Sequence, residues 1–235
     1  MPAARLYILS ESEFDDEFFR VIVERVTGYF IPANVGHCAV HHLSFIGCNN
    51  DDAEKIEERF LALRAKARTL GGEAPVFLAV IRDNDRGPFA PTPADPVATY
   101  PKQLGTTNRL RQLEDFRDLI LKDDGHGPVF PCAVGVSVQM IESWILLAKN
   151  PALTDAALPL FADKYQSTVK KHYAPAPVPD QLKDLYDIAS DNATGLKRRD
   201  FNRATAEQAD LDSLAARSPS FAAFRAELKA HLPHA

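Results

Sequence analysis

Two continuous apolar runs of strand length, PVFLAVI at 75–81 and CAVGVSV at 132–138, constrain this chain more than any other feature. A strand with one wet face alternates polar and apolar residues, whereas a strand covered on both faces does not, and such strands are typical of parallel sheets. ARLYILS at 4–10 and HCAVHHLSFI at 37–46 read as two further strands. Helical stripes lie between these runs. Phe18, Phe19, Ile22, Val23 and Val26 share one face of a helix expected over 13–27. Ile56, Phe60, Leu63, Ala67 and Leu70 share one face of another, which Gly71 and Gly72 close. Leu110, Leu113, Phe116 and Ile120 mark a third, over 109–122. Alternation of strand and helix predicts an α/β fold with a mostly parallel sheet flanked by helices.

After residue 150 the strand-like runs stop. Helices are expected near 152–165, 180–191, 204–217 and 219–231, the last opened by Ser218 as N-cap and Pro219 at the first helical position. The pattern predicts an α/β domain over 1–150 and a helical C-terminal region over 151–235. A proline-rich stretch from Asp83 to Asn108 has no apolar periodicity, and a loop of that length is either a surface insertion or a gate over a site.

Hydrophobic residues form 46% of the chain and charged residues 25%, which fits a globular protein and excludes collagenous and disordered classes. No apolar segment reaches the roughly 18 residues of a membrane span, and the N-terminal stretch lacks the pattern of a signal peptide, so a cytoplasmic location without a membrane partner is expected. Cys38, Cys48 and Cys132 are odd in number and widely spaced, which argues against a disulfide framework or a cysteine-rich zinc site. The formal charge of −5 excludes a non-specific nucleic-acid coater and leaves only local basic patches to meet such a partner. Arg64/Lys66/Arg68, Arg109/Arg111, Lys170/Lys171 and Lys197/Arg198/Arg199 are those patches, and each also fits a solvated helix face.

In an open parallel sheet, ligands bind beyond the carboxyl ends of the strands. Three of the strands here lead into acids: the first into Glu11, the 75–81 strand into Asp83 and Asp85, and the 132–138 strand into a helix that carries Glu142. Clustered carboxylates repel one another, and a divalent cation is the usual reason to keep them charged together. Each acid also has an ordinary explanation. Asp83-Asn84-Asp85-Arg86-Gly87 is turn chemistry, Ser10 with Glu13 or Ser12 with Asp15 would form a capping box, and Glu142 suits the first turn of a helix. Capping does not, however, require acids at three strand ends that converge. No P-loop, dinucleotide fingerprint, HExxH or nucleophile elbow occurs, and His37, His41 and His42 read as polar strand residues sooner than as a zinc pair.

With these residues in view, the chain resembles the Toprim-like proteins, the fold shared by the catalytic domains of topoisomerases and primases and by OLD-type nucleases. It resembles most a Toprim-related bacterial family in which that domain precedes a helical tail. The resemblance rests on Ile8-Leu9-Ser10-Glu11 with Asp15, on the Asp83 and Asp85 pair, on Glu142-Ser143-Trp144, and on Ser218-Pro219-Ser220-Phe221 through Phe224. Ser12 stands where the family usually has glycine. The resemblance implies a Mg2+- or Mn2+-dependent nuclease, a component of a bacterial defence or toxin-like system. Glu11 would be its catalytic acid or base, and Asp15, Asp83, Asp85 and Glu142 its metal ligands. Nucleic acid, DNA or RNA, would be the partner of Arg109, Lys197, Arg198 and Arg199, and a partner ATPase is also implied. The alternatives are a non-catalytic Toprim-like module that binds nucleic acid or a partner protein, and a phosphohydrolase of small molecules.

Overall fold

The computed structural model describes residues 1–10, 15–32, 75–83, 131–137, 141–155 and 181–235, together with Leu110, Leu113, Glu114, Arg117 and Asp118. Among these, three strands form one sheet: β1 (Arg5–Leu9), β2 (Val76–Asp83) and β3 (Cys132–Ser137), all parallel, in the order β1-β2-β3. Six helices accompany them: α1 (Asp16–Thr27), α2 (Ile141–Lys149), α3 (Gln181–Ala189), α4 (Gly195–Gln208), α5 (Leu211–Arg217) and α6 (Pro219–His231). The chain is thus a mixed α/β protein with a parallel sheet, as the apolar runs predicted. None of the described helices is long and apolar enough to cross a membrane.

The register explains why β2 and β3 are apolar without alternation. Leu6 pairs with Phe77, and Ile8 with Ala79 and through it Ala133, so these residues share one face of the sheet. That face joins α1, α2 and the C-terminal helices in one hydrophobic core. Tyr7, Leu78, Cys132, Val80, Val134 and Val136 occupy the opposite face and are equally buried. Burial holds the Cys132 thiol far above its ordinary range, so that it acts as an inert small hydrophobe.

Residues from both sides of position 150 build this core. Phe224 of α6 lies against Gly135 of β3, where a Cβ would meet the ring at 2.6 Å, so the absent side chain lets the helix rest on the strand. Trp144 of α2 stacks on Phe224 with ring centroids 5.3 Å apart and meets Phe19 and Phe221 edge-on. Its Nε1 donates to Ser220 Oγ at 2.7 Å, and the Ser218 hydroxyl, 3.1 Å from that of Ser220, donates to Asp155. Glu-x-Trp and Ser-Pro-x-Phe-x-x-Phe, far apart in sequence, are therefore two halves of one aromatic and hydroxyl cluster.

Several boundaries fall where local chemistry sets them. Ser218 Oγ accepts from Phe221 N and Pro219 opens α6, as expected. The helix expected over 204–217 is instead two helices, because Asp210 caps a new one by accepting from Asp212 N and Ser213 N, and the earlier helix begins at Gly195. Arg217 ties α5 to the end of α2 by donating to the carbonyls of Leu147, Asn150 and Leu153. The helix expected over 152–165 has a turn at 151–152 instead of a helical start. Leu110, Leu113 and Arg117 are helical and buried, in line with the helix expected over 109–122. The expected strand at 37–46 with its histidines, Cys38 and Cys48, the helix at 56–70 and the proline-rich stretch after Asp83 lie outside the described residues.

Candidate functional site

The parallel register brings the carboxyl ends of the three strands to one edge. Leu9 pairs with Val80, and β2 continues past it so that Asp83, its last residue, pairs with Ser137, the last of β3. Asp83 is therefore a terminal strand residue rather than part of the following turn, and only its backbone position is described. Glu11, Asp85 and Arg109 lie outside the described residues.

Asp15 and Glu142 are described in full, and they meet. Asp15 stands at the N-cap position of α1, yet its side chain caps no backbone N–H. Its Oδ1 accepts instead from Arg198 Nη2 at 3.2 Å and from Asn202 Nδ2 at 3.2 Å. Glu142, in the first turn of α2, accepts from the same Arg198 Nη2 at 2.9 Å. The capping explanation thus fails for Asp15: two carboxylates from segments that follow different strands share one guanidinium. The Ser10 hydroxyl donates to Asp16 Oδ1 at 3.0 Å.

Helix α4 supplies both partners from one face, since Arg198 and Asn202 are four residues apart. Thr205 and Ala206, small and buried, continue that face and let α4 lie close against α1. Asn202 is fully buried, as is Tyr186 of α3, whose hydroxyl donates to Asn202 Oδ1 at 2.7 Å. The Tyr186 ring also lies beneath the Arg198 guanidinium, 4.7 Å from ring centroid to Cζ. Helix α4 thus reaches the Asp15 oxygen directly, while α2 joins it through Arg198 and α3 through Asn202. Beside it runs a second charged chain, in which Glu17 receives Arg20 at 2.9 Å and Arg199 at 3.5 Å, and Arg20 also reaches Glu24. Of the basic run, Lys197 alone is exposed.

The charges of the central trio do not balance, with two carboxylates facing one guanidinium. Burial first, and Glu142 second, push the Asp15 carboxyl up to about 7, against the opposing pull of Arg198 and Asn202. Against the opposing effect of burial, Asp15 and Glu142 hold the Arg198 guanidinium firmly protonated. The sign of the consequence is fixed by linkage. Between the ordinary value near 3.8 and the folded value of about 7, the native state holds the proton that the unfolded chain has lost, so this contribution is full below the lower value and disappears as pH rises toward the upper one. Asp15→Asn has no such dependence. Urea unfolding of both proteins at a series of pH values should show the wild type losing stability relative to Asp15→Asn across that window and no further change above it. A constant difference between the two would mean that Asp15 titrates as an ordinary surface acid.

Asn202 and Tyr186 carry no signal at the level of motifs. The face formed by Arg198, Asn202, Thr205 and Ala206, one polar and small stripe at helical spacing, is the pattern that marks Asn202. Among the described residues no group of three His, Cys, Asp or Glu side chains is placed to hold a metal ion. No family model, curated protein or solved structure matches this chain.

Proposed function

We propose that the chain is a divalent-metal-dependent nuclease with a Toprim-like fold, acting on DNA or RNA in the cytoplasm with or without a partner ATPase. What supports the reading is the buried Asp15 and Glu142 pair, gathered after parallel strands and faced by a single positive charge. Hard oxygen donors with a deficit of positive charge suit Mg2+ or Mn2+. Glu142, Asp15, Asp83 and Asp85 would hold the ion, which when bound supplies charge to a phosphodiester and acidifies a water molecule. Asn202 fixes one Asp15 oxygen and Tyr186 fixes Asn202, so the carboxylate is oriented before any ligand arrives. Glu11 is the group assigned to take a proton from the attacking water. Lys197 and Arg199, flanking the trio, are assigned to phosphate contacts.

The test is cleavage of single- and double-stranded DNA and RNA with Mg2+ or Mn2+, comparing wild type with Glu11→Gln. The variant should be slower by at least about 100-fold, the usual scale of acid–base catalysis, with nucleic-acid affinity unchanged. Equal rates for both would place the activity at another site. Salt-sensitive binding without cleavage by the wild type would favour a non-catalytic binding module.

A further inference from the structure

Arg198 is held in an unusual way for a structural arginine. Arg117 offers the contrast, since its Nη1 faces both oxygens of Glu227 at 2.6 and 2.5 Å while its Nε and Nη2 donate to Asp118 at 3.0 and 2.9 Å, so that its whole guanidinium fork is used. Arg198 uses one nitrogen, Nη2, to take one oxygen from each of two carboxylates. Its Nε is buried and has no acceptor among the described residues. A single positively charged centre bridging two carboxylates, with the guanidinium fork unused, is the arrangement a small cation makes rather than the planar pairing arginine favours.

We infer that Arg198 is a tethered cation that competes with a divalent ion for Asp15 Oδ1 and Glu142 Oε1, so that loading the site requires α4 to release this guanidinium. The inference rests on the metal-dependent reading above and adds a threshold to it. Without the ion, Arg198 keeps the two carboxylates together and stacks on Tyr186, which holds the site assembled. With the ion, the dication would offset the two negative charges that hold the guanidinium, so its attraction to the site would be lost and its repulsion from the ion would move it out. The released side chain carries its charge at the edge of the site, beside Lys197 and Arg199.

Two measurements test this, and the first uses the wild-type chain. The Nε–H signal of Arg198 in a ¹⁵N-labelled protein, assigned by its loss in Arg198→Lys, reports whether the guanidinium stays buried. Mg2+ titration should remove the signal through exchange with water as the site fills. The second is calorimetry with Mn2+, in which Arg198→Gln should bind at least about tenfold tighter than wild type because the competing charge is gone, while Arg198→Lys should stay near the wild-type affinity. If Mn2+ binds but the Arg198 signal persists at saturating Mg2+, or if Arg198→Gln binds no tighter, the competition is refuted and the metal reading stands. If neither ion binds wild type or Arg198→Gln, both fall together.

Discussion

Arg198→Gln should lower the unfolding free energy by about 3–5 kcal/mol at neutral pH without added metal, the scale for removing one partner of a buried ion pair. Glu142→Gln should cost less than about 1 kcal/mol, because glutamine still offers an oxygen to Arg198 and the loss is of one ordinary hydrogen bond. The asymmetry follows from the charge count. Removing the guanidinium leaves Asp15 and Glu142, 3% and 5% exposed, facing each other with no positive charge. Removing the Glu142 charge leaves a balanced pair of Asp15 with Arg198. Urea unfolding of the two variants beside wild type decides the matter, and equal losses would show that Glu142 is no excess charge.

Trp144→Ala is expected to cost about 3–5 kcal/mol, the range for emptying a large aromatic site in a core that cannot collapse around it. Trp144 is fully buried and touches three aromatic rings from two helices, so no neighbouring side chain is placed to fill the space. Ser220 also loses the indole N–H that donates to it. Trp144→Phe is the intermediate case, since it keeps one ring in the stack but loses the donor and part of the indole volume, at about 1–3 kcal/mol. The chain has a single tryptophan, so unfolding is best followed by circular dichroism. A loss below about 1 kcal/mol for the alanine variant would mean that α6 is held to the sheet by other contacts.

What the sequence disclosed follows the physical origin of each signal. Strands β2 and β3 were legible because burial on both faces leaves uninterrupted apolar runs, and α6 was legible at its start because Ser218 and Pro219 act locally. Helix α4 was read wrongly at its start because it presents no apolar stripe: its buried face is Asn202, Thr205 and Ala206, chosen for close approach and hydrogen bonding. The break before α5 depends on Asp210, one acid among several in that stretch. At the site, Glu142 could be named from its place after a strand, and Asp15 from the family resemblance. Arg198 was read as a phosphate contact because it belongs to a run of three basic residues, yet its position four residues from Asn202 turns it toward the carboxylates. Sequence reveals which groups carry charge, and the partner of each charge is fixed by packing between distant segments.

The separation between those segments bears on how the protein is made. Asp15 lies 183 residues from Arg198, and Glu142 lies 56. Synthesis is vectorial, so both carboxylates leave the ribosome before the arginine that reconciles them. A nascent chain ending short of α4 already holds β1, β2 and β3, but its two acids lack Arg198 as a common partner and repel. Contacts of such long range close late, because the loop entropy must be met before they reward it. Arrival of α4 thus turns a mutually repelling pair into an ordered one, and the site matures only once translation has passed α4.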